Sequence, residues 1–365
     1  MSNSNLTKAK KEKNDEFYTQ YIDIEKELQH YNIEGKIIYC NCDNPHYSNF
    51  YKYFKDKFNT HKIKHLYCTG YNKDGNGYYA EYNGTEETIK TLNGNGSFES
   101  DECINILKIA DVIITNPPFS LFRDYVKQLM DYKKQFLIIG NMNAVTYKEI
   151  FPYIKANQLW WGASIHSGDR KFYVPDNYPL NAATCGVDEN GERFIRVKGI
   201  RWWTNIDHIK PNKSIILTKT YNPIDYPHFD NYDAINVDKV KDIPIDYDGV
   251  MGVPITFFDK YCPSQFEILG CCEPAIRLST LKLIPKFKEY KSRQIIYNGN
   301  VCQKTYHRLL IKKNDSLEPV EFEILDARDY TNIDKLKSKS TFLVKDKDSA
   351  INGKPTYARI LIKRI

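Results

Sequence analysis

Four consecutive residues, Asn116-Pro117-Pro118-Phe119, stand directly after the apolar run Asp111-Val112-Ile113-Ile114-Thr115 and ahead of a helical pattern. Two successive prolines fix φ and donate no hydrogen bond, so they predict a rigid turn whose carbonyls can accept. The Asn side chain adds an acceptor oxygen, and the Phe a flat apolar face. Such a set suits an exocyclic amine on a flipped base. Asn116 Oδ1 and the Pro117 carbonyl would accept both N6 hydrogens of adenine, draw the nitrogen lone pair out of conjugation and aim it at an electrophile. Phe119 would stack on the ring. Partners placed in advance in this way are worth about 3 kcal/mol each in a transition state. The same four residues also suit a plain Pro-Pro turn with Asn as a cap, and spacing alone does not choose between the two.

Something must hold that turn. Upstream, residues 15–31 read as a helix capped by Asp15, 36–40 as a buried strand ending in an Asn-Cys-Asp-Asn-Pro loop, 49–58 as a helix and 63–69 as a strand. The alternation resumes with the strand at 111–115, a helix at 121–130, a strand at 136–140 and a helix at 147–157. Strand, helix, strand in this order predicts an α/β fold with a mostly parallel, doubly wound sheet. In such a sheet the carboxyl ends of the strands bind ligands, which is where Asn116 falls. Residues 70–96, with the hairpin signal Asn83-Gly84, read as an insertion outside the core. Strands at 193–204 and 214–220 are expected to finish the sheet antiparallel. Residues 1–14 read as a basic flexible arm, 15–222 as the first domain, and 223–365, beyond a Pro-rich stretch, as a second. The second is poor in helices, with short strands expected at 254–258 and 266–269.

With 41% hydrophobic and 14% aromatic residues in a chain of 365, wholesale disorder is excluded. Mean hydropathy is −0.57, and no run approaches the ~18 apolar residues of a membrane span. The Lys-rich start has no apolar core of a secretory signal, so the chain reads as cytoplasmic. Nine cysteines, an odd number without a Cys-x-x-Cys pair, predict reduced thiols and no structural metal. The net charge of +6 is mild but uneven: residues 271–315 hold ten basic and three acidic side chains, a net +7 that leaves −1 for the rest. In that window Lys282, Lys286, Lys291, Arg293, Lys304 and Arg308 suit phosphate contacts, and a solvated charged face is the other reading. The pairs Trp160-Trp161 and Trp202-Trp203 read as core or sheet-surface aromatics in preference to base platforms.

Asn-Pro-Pro-Phe after an apolar strand resembles motif IV of the S-adenosylmethionine-dependent amino-methyltransferases. Four further segments, in order, are similar to the EcoRI-type adenine-specific DNA methyltransferase family. They are Asn14-Asp15-Glu16-Phe17-Tyr18-Thr19-Gln20; Tyr39-Cys40-Asn41-Cys42-Asp43-Asn44-Pro45 with Ser48-Asn49-Phe50; Gly249-Val250-Met251-Gly252-Val253-Pro254-Ile255-Thr256-Phe257; and Tyr357-Ala358-Arg359-Ile360-Leu361-Ile362. The likeness spans nearly the whole chain.

The resemblance implies a Rossmann-like methyltransferase fold with a smaller C-terminal target-recognition region. It implies N6 methylation of an adenine flipped out of double-stranded DNA, with S-adenosylmethionine as donor and no metal. The catalytic residues would be Asn116, Pro117, Pro118 and Phe119. Phe17, Tyr18 and Thr19 match the family's N-terminal cofactor motif. Cys40, Asn41, Cys42 and Asp43 occupy the place of the Gly-rich cofactor loop, yet this loop holds no glycine, so the tight backbone is expected from Asn41, Asp43 or Asn44. The usual acidic ribose ligand after the second strand is missing. Asp101 would approach the cofactor adenine or simply sit at a helix cap. Phe172 falls where related enzymes place a second aromatic wall, packing being its other reading. The expected setting is a modification methylase of a restriction-modification system, monomeric on DNA, away from membranes, with a cognate endonuclease encoded nearby and no direct contact implied. Two other readings stay open: a methyltransferase acting on an RNA base or a glutamine amide, and a non-catalytic DNA-binding protein on a decayed methylase scaffold.

Overall fold

The fold was analysed in a computed structural model, which describes residues 18–271, apart from 167, 175, 177, 179, 181–183 and 230–232, and residues 356–365. Between 295 and 355 it also describes the backbone of several short strands. The chain divides into two compact units, Met1–Lys213 and Ser214–Ile365.

In the first unit the short apolar runs form strands β1 (Ile37–Asn41), β2 (His65–Gly70), β5 (Val112–Thr115) and β6 (Gln135–Asn141), all mutually parallel. Helix α1 (Tyr21–Leu28) precedes β1, helices α2 (Asn49–Asp56), α3 (Asp101–Ile109) and α4 (Phe122–Asp131) intervene, and the short α5 (Phe151–Lys155) follows β6. Around the parallel strands the sheet extends with β3 (Tyr78–Tyr82) and β4 (Glu87–Thr91) on one side, and β11 (Ile200–Thr204) and β7 (Trp160–Trp161) on the other. The order is β4-β3-β2-β1-β5-β6-β11-β7, with the outer strands antiparallel. Chain order reverses between β1 and β5, so the crevice at their carboxyl ends is the topological switch point of the sheet. Ile38, Cys40, Phe50, Phe54, Ile114 and Trp202 pack in one core against the inner face of α1 and α2. Trp161, Trp202 and Trp203 are buried in the core, while Trp160 is half-buried.

Several expectations need correction. The first helix is shorter than 15–31: it begins at Tyr21, and the segment ahead of it pairs with a strand instead. Residues 70–96 are no peripheral insertion. The β3–β4 hairpin joins the main sheet, with Ala80 fully buried and Leu92 6% exposed. The expected helix at 147–157 shrinks to α5. The run 193–204 breaks in two at Gly199, whose φ of +73° lets the chain leave β10 (Arg193–Lys198) and enter β11 in a different sheet. There β10 lies between β8 (Asp169–Tyr173) and β9 (Cys185–Val187), antiparallel to both.

In the second unit, residues 214–220 form no strand. The Gln265 side-chain amide takes the place of a strand partner, accepting from the Ile215 N–H at 2.7 Å and donating to the Ile215 carbonyl at 2.8 Å. The sheet of this unit runs β12 (Ile235–Asn236), β13 (Met251–Pro254), β22 (Arg359–Arg364), β14 (Phe266–Cys271). Residues 255–260, half expected as strand, form a 3-10 helix. Two distant sequence segments thus meet, with Gly252 facing Leu361 and Val253 facing Ile360. Short strands β15 (Ile295–Tyr297), β16 (Asn300–Cys302), β17 (His307–Lys313), β18 (Ser316–Val320), β19 (Thr341–Lys345), β20 (Ala350–Ile351) and β21 (Lys354–Pro355) lie between β14 and β22 in sequence.

Candidate active site

The turn after β5 has the form its sequence dictates. Thr115 ends the strand fully buried, Asn116 is half-buried and Pro117 is buried. Pro118 caps a short 3-10 turn (Phe119–Leu121) with its carbonyl accepting the Leu121 N–H at 3.0 Å. Phe119 keeps part of its ring exposed and meets Phe172 edge-on at 6.5 Å.

Beside this turn, across the switch point, lies the loop that continues β1. The β1–β5 ladder pairs Ile38 with Val112 and Tyr39 with Ile113 and goes no further. Beyond it the two chains are joined by side chains. The Thr115 hydroxyl bonds to both the Asn41 carbonyl and Asp43 Oδ2, and the Asn116 backbone N–H donates to the Asp43 carboxylate. Ser48 Oγ donates to Asp43 Oδ1 at 2.7 Å and caps α2 by accepting from the Phe50 and Tyr51 N–H groups. Asn49, first residue of α2, donates from its side chain to the Thr19 carbonyl at 2.8 Å. Tyr18 exchanges both backbone hydrogen bonds with Tyr173 of β8, and its ring meets Tyr47 edge-on at 5.0 Å. The loop after β1 and the Asn116 turn therefore meet at one carboxyl group, and the Tyr18-Thr19 segment is tied to the helix beside it through Asn49.

Enclosure of that carboxyl disfavours its charge, and desolvation outweighs the donors from Thr115, Ser48 and Asn116, pushing Asp43 up to about 7. The residue as a whole keeps some surface while its carboxyl is enclosed. A hydroxyl has one proton to give. When Thr115 gives its proton to the Asn41 carbonyl, a protonated Asp43 completes the second bond as donor.

The glycine-free loop is explained by two residues. Cys42, not Asn41, Asp43 or Asn44, takes the left-handed conformation, at φ +71°. Its neighbours are committed elsewhere. Asn41 is in register with Thr69, and Asp43 donates its N–H to the Thr69 carbonyl at 2.9 Å. The close approach is supplied by Gly70 on the adjoining strand, where a Cβ would lie 2.9 Å from Asn44 Cα and 2.9 Å from the Asp43 carbonyl oxygen.

Other expected site residues are placed as follows. Cys40 is fully buried, and burial with the neighbouring Asp43 raises its thiol well above the usual range, so any part it plays falls to its backbone. Asp101 is an exposed first-turn acid of α3 behind the true cap, Ser100. Phe172 is 2% exposed and backs Phe119 from within the core; it presents no open face. Phe17, Lys282, Lys286, Lys291, Arg293 and Lys304 lie outside the described residues, and Arg308 is described only as backbone of β17. Sequence reasoning missed Thr115 and Gly70. The signal for Thr115 was present as the one polar residue closing an apolar strand.

A parallel sheet with an Asn-Pro-Pro-Phe turn at its switch point defines a class, the amino-group methyltransferases. The family described as adenine-specific methyltransferase EcoRI matches residues 5–365. The type II methyltransferase M.EcoRI of Escherichia coli is 48% identical over 290 residues, 73% of this chain and 89% of that protein. M.MpnI of Mycoplasma pneumoniae is 39% identical over 322 residues, 86% of this chain and 99% of its own, and M.MgeORF184P of Mycoplasma genitalium is 39% identical over 315 residues, 84% and 98%. No solved structure matches. The chain belongs to the EcoRI family of adenine-specific DNA methyltransferases.

Proposed function

We propose that the first unit transfers a methyl group from S-adenosylmethionine to N6 of an adenine flipped out of double-stranded DNA, while the C-terminal half grips the duplex. The observation that carries this reading is the joining of the loop after β1 to the Asn116 turn through Asp43 and Thr115. Two buried polar atoms in the motifs assigned to the cofactor, Thr19 Oγ1 and Asn41 Nδ2, have no hydrogen-bond partner among the described residues. Leaving a buried donor unmade costs about 1–3 kcal/mol, so a hydroxyl and an amide here fit a ligand rich in carboxylate and hydroxyl oxygens.

Bound at Tyr18, Thr19, Asn41 and Asp43, the sulfonium cofactor supplies an electrophilic methyl group. The protein does the rest. Asn116 Oδ1 and the Pro117 carbonyl accept the N6 hydrogens, Phe119 stacks on the base, and the rigid prolines hold these groups before substrate arrives. Flipping costs a few kcal/mol, supplied by phosphate contacts from the basic window at 271–315. The enzyme acts in the cytoplasm as a monomer on DNA, as the modification partner of a restriction endonuclease encoded nearby.

Transfer of labelled methyl groups tests this directly. The expected product is N6-methyladenine in a duplex carrying GAATTC, the first site to try, or another short palindrome found by modified-base sequencing of DNA from expressing cells. Label appearing only in RNA or protein, or no label with any substrate, overturns the proposal.

A further inference from the structure

Asp43 stands at a join that the backbone cannot make. Ladder pairing between β1 and β5 ends at Tyr39 and Ile113, and beyond it the strands are joined through the Thr115 side chain. A turn that must present Asn116 at a fixed place therefore leaves its strand tied to β1 only through the Thr115 hydroxyl on the Asn41 carbonyl, beyond the last ladder pair described. The Asp43 carboxyl adds to that tie, meeting the Thr115 hydroxyl and the Asn116 N–H on one side. On the other side it takes the Ser48 hydroxyl at 2.7 Å, and Ser48 heads the helix whose first residue, Asn49, holds the Thr19 carbonyl. The Asp43 backbone is pinned independently: its N–H donates to Thr69 at 2.9 Å, and its carbonyl accepts from Cys68 Sγ at 3.1 Å. The side chain is thus spanned between fixed points.

We infer that Asp43 is a positioning residue for Asn116, setting the catalytic turn against the loop after β1 through Thr115 and the Asn116 N–H, beyond any contact Asp43 makes with the cofactor. The inference rests on the methyl-transfer reading above. A residue that only binds cofactor changes affinity and leaves the saturated rate intact. A residue that sets the catalytic turn changes the rate of the bound enzyme. The geometry also assigns Thr115 to the same device, because its hydroxyl is the link between the two strands.

The test compares full-length Asp43→Ala, Thr115→Val and Thr115→Ser with wild type. It measures kcat on a methylatable duplex at saturating S-adenosylmethionine, and cofactor Kd by calorimetry. Asp43→Ala is expected to lower kcat at saturating cofactor about 100-fold, over and above any change in Kd, the size of loss seen for one group that orients the reacting atoms. Thr115→Val should lower kcat about tenfold, and Thr115→Ser, which keeps the hydroxyl, should recover most of that loss. The double variant Asp43→Ala/Thr115→Val should be no slower than Asp43→Ala, because both remove one link. The inference is overturned if the Asp43→Ala loss lies in Kd with kcat within threefold of wild type. Equal activity of Thr115→Val and Thr115→Ser also overturns it, and this pair decides the matter should Asp43→Ala fail to fold. Wild-type enzyme that methylates no duplex would refute the functional reading, a separate failure.

Discussion

The two loops that face each other across the switch point reach the same rigidity by opposite means. The turn after β5 is stiff within itself, because two prolines set φ, while its Thr115 hydroxyl and Asn116 N–H are held from outside by Asp43. The loop after β1 contains no glycine and a single proline, Pro45, beyond its bend, and is held largely by connection. It borrows the clearance of Gly70 from β2, bends at Cys42, and is tied by Asp43 to β5 and α2. The lesson is that a missing glycine in a tight loop need not mean a lost function. The space that glycine provides can be left by a neighbour.

Replacing Asn116 with Ala attacks the turn where the contrast is sharpest. The expected loss in kcat is about 100-fold to 1000-fold, with DNA and cofactor affinity kept. Retention of a tenth of wild-type kcat would remove Asn116 from its role. Next in size is Gly70→Ala. Its new Cβ would meet backbone of the opposite loop, which cannot rotate away, so a destabilisation of about 1–3 kcal/mol in denaturant titration is expected. Unchanged stability there would show that the loop does not depend on its neighbour.

Cys42 offers a finer test. Cys42→Val should cost about 1–2 kcal/mol because a β-branched residue resists φ of +71°, whereas Cys42→Gly should stay within about 1 kcal/mol of wild type. A Val variant as stable as the Gly variant would place the bend elsewhere. The smallest effect is in pH. Asp43 titrates near 3.8 when unfolded and near 7 when folded, so the folded state holds the extra proton between those values. Its contribution to stability is therefore full below about pH 4 and is lost as pH rises towards 7. Against Asp43→Asn as reference, wild-type melting temperature should fall over that window, and parallel profiles would deny Asp43 its raised pKa.

These contrasts also explain what the sequence revealed. β1, β2, β5 and β6 were legible because short apolar runs bounded by turn residues have few other fates. The Asn116 turn was legible because proline acts locally. Asp43 and Thr115 are 72 residues apart, and no local pattern joins them. The exposed Ile216 misled the strand expectation at 214–220, because an apolar run looks the same whether its partner is a strand or a Gln side chain. Phe172 could be placed beside Phe119 by likeness, but only packing decides that it stands behind that ring and not across from it.

One feature of the second unit bears on how such an enzyme diversifies. Strands β14 and β22 are adjacent, with Cys271 in register with Ile360, so the 87 residues from 272 to 358 leave and re-enter the sheet at one doorway. Most of the net positive charge lies within that segment. A stretch anchored in this way can be exchanged while the sheet that anchors it is inherited unaltered.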